Sequence, residues 1–261
     1  MTEPAAQTVA VEFALKVGDG QLKASVTVPS GQTNITELLP IIQSFENAIV
    51  GKAASEAEAA GTPISCRAGC GACCRQMVPV SIFEAQAMCD WIRSLPDPQQ
   101  KALEARFHQT LLKLKDTGII QRLIEEDWFA DNDTALKMAI DYFRLGIPCP
   151  FLVDESCSIH PIRPLSCREY LVTSPPELCN DPAKDGVAGV QLPIKLSRAL
   201  YRMGGQLEQD RRGWIPLVFL FAWMKSGAEP GAAFSGTGQE VFHQFLEHLA
   251  STPQKPEPTP V

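Results

Sequence analysis

The chain has 261 residues, 45% of them hydrophobic and 20% charged, so it can bury a core and wholesale disorder is excluded. Its 23 basic and 30 acidic residues leave a net charge of −7 with no Lys/Arg-rich run, which argues against binding a phosphate backbone. Nine cysteines are far too few for a disulfide-built scaffold, where roughly 8–10% is typical.

Val9, Val11, Phe13, Leu15 and Val17 alternate with polar or small residues, and Leu22 to Val28 alternates again after Gly18-Asp19-Gly20. This is the pattern of a β-hairpin, residues 1–31, and a two-stranded hairpin has to pack on the body or on another chain. From Ile35 the spacing lengthens: Leu38, Leu39, Ile42, Phe45, Ile49 and Val50 predict a helix running to Ala60, stopped by Gly61 and Pro63. Ser81 with Glu84 three residues later forms a capping-box signature that opens a helix to about Leu95. Further helices are expected over Pro98–Asp116, Ile119–Phe129 and Thr134–Leu145.

Pro148 to Asp185 holds seven prolines and four cysteines and has little periodicity, so it reads as a long irregular segment that something other than secondary structure must hold. Helical spacing returns over Leu192–Gln209, Pro216–Lys225 and Gln239–Ala250. Trp214 to Met224 is apolar all round, which predicts a buried core helix and is too short to span a bilayer, where roughly 20 residues are needed. The last helix reads as polar. Residues 251–261 carry four prolines and no apolar pattern and are expected to be a disordered tail. The fold class expected is therefore mostly α. It is a single helical cysteine-cluster metal-binding domain, 32–250, with an N-terminal β-hairpin and an irregular cysteine-rich segment.

The chemistry concentrates in the cysteines. Cys66, Cys70, Cys73 and Cys74 lie within nine residues, and Gly69 and Gly71 between them allow the tight turns that bring thiolates onto one ion. Cys149, Cys157, Cys167 and Cys179 form a sparser second group, in which Pro161 and Pro164 stiffen the stretch between Cys157 and Cys167. These eight are the candidate metal ligands. Cys89 shares a helical face with Ile82, Ala85 and Ile92 and reads as a core residue. Arg67, Arg75, Arg163 and Arg168 flank the two groups, where guanidinium groups would offset the negative charge of bound thiolates.

The run Cys66–Arg75, followed by Cys149-Pro-Phe-Leu, Cys157-Ser-Ile-His and Arg163-Pro-Leu-Ser-Cys167-Arg168, resembles the cysteine-cluster family, described as zinc- or iron-chelating proteins. The resemblance runs from Cys66 to Tyr170 and says little about the hairpin or the C-terminal helices. The first spacing is one residue wider than the family's nominal Cys-x2-Cys-x2-Cys-Cys, and His160 stands where the family usually has tyrosine. One branch is similar to flagellin lysine methylases that carry an iron–sulfur cluster, which leaves a redox or methyl-transfer-related role open.

Eight thiolates suit either one four-iron cluster with spare ligands or two zinc ions. All-thiolate ligation and a proline beside a ligand (Cys149-Pro150) favour an iron–sulfur centre, a 4Fe–4S cluster. The alternative is a zinc-stapled structural or protein-interaction module, because zinc also takes four thiolates. Cys66-x3-Cys70-x2-Cys73 coincides with the triplet of S-adenosylmethionine radical enzymes, but the alternating strands of their barrels are missing. A disulfide between the adjacent Cys73 and Cys74 would be strained. His160 remains outside the ligand set, and with no phosphate loop or nucleophile elbow the catalytic status stays open. The expected partners are a metal ion or cluster and a protein, without nucleic acid or membrane span. The expected location is the cytoplasm, since the N-terminus shows no secretory signal and clustered thiols need reducing surroundings.

Overall fold

The structure is a computed structural model that describes residues 7–17, 20–125, 128, 131–181, 186–207 and 212–251. The alternating segments pair as expected: β1 (Thr8–Val17) and β2 (Gly20–Pro29) are antiparallel, with Val11 opposite Val26 and Leu15 opposite Leu22. The Gly18-Asp19 part of their turn lies outside the described residues. One face of this ribbon is buried through Val11, Leu15 and Val28, and Phe13 sets its ring edge-on to Phe45 and Phe242, 5.4 and 5.6 Å away. Burying each such Val or Leu contributes about 1.5–3 kcal/mol, enough to hold two strands that would be marginal alone.

A short strand β3 (Gln32–Asn34) leads into α1 (Ile35–Ala59). Asn34 caps it, its side-chain oxygen accepting the N–H groups of Thr36 and Glu37 at 2.9 and 3.2 Å. The helix buries Leu38, Leu39, Ile42, Phe45, Ile49 and Ala53, and Gly61 leaves it in the left-handed region at φ 77°. After the first cysteine run come β4 (Pro79–Ser81) and α2 (Ile82–Ser94), which opens on the expected capping box of Ser81 and Glu84. Then follow α3 (Asp97–Asp116), α4 (Ile119–Glu125) and α5 (Asn132–Arg144), the last capped by Asp131. Within the irregular segment lie a minimal hairpin, β5 (Leu152–Val153) with β6 (Ser156–Cys157), and the short helix α6 (Leu165–Glu169). The chain finishes with α7 (Leu196–Gly205), β7 (Trp214–Pro216), α8 (Leu220–Met224), β8 (Ser235–Thr237) and α9 (Gly238–Ala250).

Two expectations need correction. The apolar run Trp214–Met224 is not one helix. Pro216 lacks an N–H and pushes Ile215 into extended backbone. Trp214–Pro216 therefore pairs with β4, Ile215 opposite Val80, and helical turns begin only at Leu217. Nor is the C-terminal helix polar: Val241, Phe242, Phe245, Leu246 and Leu249 form a buried stripe, while His243 is exposed and His248 sits at its flank. One helix is also shorter than expected, α7 beginning at Leu196, and α4 is described to Glu125, most of the rest of its expected span lying outside the described residues. The expected tail lies, beyond Ser251, outside the described residues.

Among the described residues the strands make two-stranded pairs, β1 with β2, β3 with β8, β4 with β7 and β5 with β6. The main core is built by the hairpin, α1, α7 and α9 with Ile82 and Phe83. A second cluster joins α2 and α3 to Phe151, Ile159 and α8, and a third joins α4 and α5 to Trp128 and Val218. A small fourth one, Ala72, Val172 and Cys179 with Cys70 and Tyr170, lies among the cysteines. Among the described residues no helix is long and apolar enough to cross a membrane.

Candidate metal centre

The first cysteine run is held at both ends. Ser65 N–H donates to the Val172 carbonyl at 2.9 Å, tying the stretch before Cys66 to a segment more than a hundred residues later. Gly69, at φ 81°, permits the turn that brings Cys70 round, a conformation that would strain any residue with a Cβ. Ala72–Arg75 then forms a 3₁₀ turn, closed by the Cys74 N–H on the Gly71 carbonyl at 3.0 Å. With three residues per turn, Cys73 and Cys74 point about 120° apart.

The second group is brought to this turn piece by piece. Cys149 N–H donates to the Cys74 carbonyl at 2.7 Å. The β5–β6 hairpin, which carries Cys157, turns through Asp154 and Glu155 at φ 49° and 55°, the double positive φ of a type I′ turn. It lies so close on the knuckle that a Cβ at Gly71 would stand 2.5 Å from Glu155 Oε2 and 2.9 Å from Leu152 Cδ1. Arg75 clasps the hairpin, its guanidinium donating to both Glu155 carboxylate oxygens (2.8 and 3.0 Å) and to the Gly71 carbonyl at 2.8 Å.

Cys167 rides on α6, whose first residue is anchored from beneath: Leu165 N–H donates to Glu84 Oε1 at 2.7 Å. Ser166 Oγ donates to the Pro79 carbonyl at 2.8 Å. Arg168 faces inward and donates to the carbonyls of Arg163 and Pro161 and to Asn47 Oδ1, which fixes the arm between Cys157 and Cys167. Cys179 is buried in the 3₁₀ turn Pro176–Asn180, against Ala72 and Val172.

All eight candidate ligands therefore lie around the 3₁₀ turn, and Cys89 does not: it is buried in α2 among Ala85, Met88 and Ile92. Every cysteine is a free thiol. Three sulfurs accept backbone N–H groups: Cys66 from Val172 at 3.5 Å, Cys149 from Phe151 and Cys157 from Ile159. The Cys74 thiol donates to the Cys73 sulfur, which brings Cys73 down to about 7 and drives Cys74 up. Burial, followed by the charges of neighbouring thiols, holds Cys167 well above the ordinary thiol range. Burial likewise pushes Cys149 up to about 12 and Cys179 up to about 11. Among the described residues no three His, Cys, Asp or Glu side chains close on one point tightly enough to grip an ion.

The four flanking arginines separate in role. Arg75 is matched by Glu155, Arg168 is a structural tie, and Arg67 is exposed. Arg163 reaches several sulfurs: its charge acts on Cys66, Cys73, Cys157 and Cys167, and its buried Nε has no hydrogen-bond partner among the described residues. His160 is exposed, with Arg163 depressing its pKa. Cys149 also lines a small cleft with Tyr142, Gln76 and Leu217.

Three buried carboxylates behind the centre escaped the sequence reading: Glu46, Glu84 and Glu169. Glu84 was visible as half of a capping box, but its second oxygen serves α6, 81 residues away, and no local pattern announces that. Glu169 accepts from the N–H and hydroxyl of Ser197 (2.8 and 2.6 Å), and Glu46 accepts from Leu196 N–H at 3.3 Å, so both hold the start of α7.

No curated protein and no solved structure matches the chain. Residues 65–184, the stretch that supplies all eight gathered thiols, match the model of the CxxCxxCC family, described as a "Putative zinc- or iron-chelating domain".

Proposed function

We propose that the eight gathered thiols bind an iron–sulfur centre, and that the protein acts through it in a redox or methyl-transfer-related reaction in a reducing compartment such as the cytoplasm. The observation that carries this reading is the convergence on one 3₁₀ turn of cysteines from segments about a hundred residues apart, with backbone N–H groups aimed at three of the sulfurs. Hydrogen bonds of that kind favour a charged sulfur, and outer contacts that orient ligands are the usual support of a metal site.

The donor set fits: it is all sulfur, and His160 is exposed beside two arginines. The thiols of the second group come singly, from β6, from α6, from a 3₁₀ turn and from a loop, whereas structural zinc favours paired knuckles. Proline follows Cys149 directly, as it often follows a cluster ligand. An iron–sulfur cluster supplies electron transfer when bound. The chain's own part is to hold the sulfurs, draw them inward from the positions they hold here, and offset their charge with the Arg163 guanidinium.

The test is elemental and acid-labile sulfide analysis, with an optical spectrum, of the full chain purified without oxygen. Iron with matching sulfide and a broad visible absorption is expected. Zinc without sulfide would replace this reading with the zinc-stapled module, and absence of any metal would overturn both.

A further inference from the structure

We propose that the outer edge of β1 pairs with the same edge of a second copy of the chain, antiparallel about a two-fold axis at Ala14, so that two hairpins make one four-stranded sheet. Nothing in this pairing depends on what the thiols bind.

The hydrogen-bond phase of the hairpin fixes which backbone groups are left over. The Gln7 carbonyl accepts Ser30 N–H at 2.8 Å and Thr8 stands opposite Pro29. Odd-numbered residues of β1 therefore turn their backbone groups to β2, and even-numbered ones turn theirs outward. Those outward residues are Thr8, Ala10, Glu12, Ala14 and Lys16, and all five are exposed. The sheet ends there at two strands. The outward N–H and C=O groups of Thr8, Ala10, Glu12 and Ala14 meet no hydrogen-bond partner among the described residues.

The two edges are guarded unequally. Bulges, prolines and lysines along the strand are what keep an open edge from pairing. The edge of β2 has Lys23 near its middle and Pro29 at its end, where α9 starts so close that a Cβ on Gly238 would collide with the Pro29 carbonyl. By contrast, β1 runs ten residues without a bulge or a proline, and the one lysine on its edge, Lys16, stands at the turn end.

The residues along this edge select a second copy as its occupant. About a two-fold axis at Ala14, Glu12 of each copy stands opposite Lys16 of the other, and Ala14 stands opposite itself. The charges match twice. An axis at Glu12 would set two glutamates against each other, and one at Phe13 would leave both charges opposite alanines. Lys16 also has a partner within its own chain, but its exposed ammonium carries three donors and can serve a second. On the inner face the axis at Ala14 sets Phe13 beside Leu15 of the other copy. Phe13 is only half-buried against Phe45 and Phe242, so the pairing extends the apolar face that already holds the hairpin.

The experiment is sedimentation equilibrium of the full chain, as purified under reducing, oxygen-free conditions that keep disulfides from joining chains, with hydrogen exchange read at single residues. A concentration-dependent dimer is expected, in which the amides of Glu12 and Ala14 slow as concentration rises while those of Lys23 and Ser25 do not. Lys16→Glu should weaken it about tenfold, and Glu12→Lys/Lys16→Glu, which restores opposite charges, should bring it back. Ala14→Pro should abolish it, because the N–H removed points away from β2 and the hairpin keeps its own ladder. Ser25→Pro, the same change on the edge of β2, should leave the dimer intact. A strict monomer, or a dimer indifferent to Ala14→Pro in a folded chain, would overturn the pairing. Slow Glu12 and Ala14 amides in a monomer at every concentration would also overturn it, giving the edge to a segment of its own chain. Should Ala14→Pro not fold, Lys16→Glu and its charge-swapped rescue still decide.

Discussion

Glu84 links the stability of the helical body to the placement of Cys167, and replacing it separates those roles. The carboxylate is fully buried; one oxygen accepts Leu165 N–H at 2.7 Å, the other Ser81 N–H at 3.2 Å and Ser81 Oγ at 2.7 Å. Glu84→Ala strands two backbone donors, each costing about 1–3 kcal/mol, while relief from burying a carboxylate offsets part, so the net loss should be about 2–4 kcal/mol. Glu84→Gln is not conservative either, because its amide turns one NH₂ group onto one of the two backbone donors whichever way it is flipped. Ser81→Ala, which removes only the cap hydroxyl and leaves Leu165 served, should cost about 1 kcal/mol. Urea unfolding of the three variants, with metal content measured on each, tests this. Glu84→Ala should also bind metal more weakly, because the first residue of α6 is no longer tied down two residues before Cys167. A loss no greater than that of Ser81→Ala, with metal content unchanged, would refute the reasoning.

Other outcomes follow from single contacts. Gly71 has φ −96°, which any residue adopts, so Gly71→Ala should fail only by crowding Leu152 and Glu155. A cost of about 1–3 kcal/mol with weaker metal retention is expected in urea unfolding and elemental analysis. Arg163→Gln should lower metal affinity about 10–100-fold in a chelator competition, with a smaller change for Arg75→Gln, whose charge is already matched by exposed Glu155. Glu46 is raised chiefly by burial, then by the Glu169 charge, against Arg168, with Glu84 adding to the rise. A carboxyl whose folded pKa lies above its unfolded one costs stability as pH rises through the folded value, and none below the unfolded range. Glu46→Gln should therefore match wild type near pH 4 and exceed it by about 1 kcal/mol or more near pH 8. Urea midpoints at the two pH values check this, and a difference that does not grow with pH would contradict it.

The elements that were legible are those whose signal is local and long. The hairpin, α1, α2 and α3 carry many turns or alternations of periodic apolar residues, and caps such as Ser81 with Glu84 are complete within four positions. What escaped was short or distant. The β3–β8 and β4–β7 pairs are three residues a side and join segments more than 130 residues apart, too brief to show a period of two. The run from Trp214 misled because hydrophobicity was weighed ahead of Pro216, whose missing donor breaks the helix.

At the cysteines the residue types and spacing alone identified thiolate chemistry, because four thiols within nine residues have few other uses, and they set Cys89 apart by its helical face. Which thiols stand together was decided only by the fold. Val172 and the β5–β6 hairpin reach the knuckle through backbone hydrogen bonds and close packing, and the direction of a side chain on a 3₁₀ turn depends on backbone angles that long-range contacts impose. The same holds for charge. Four arginines are alike along the chain, and only the three-dimensional neighbourhood gives one to a carboxylate, one to backbone carbonyls and one to sulfur.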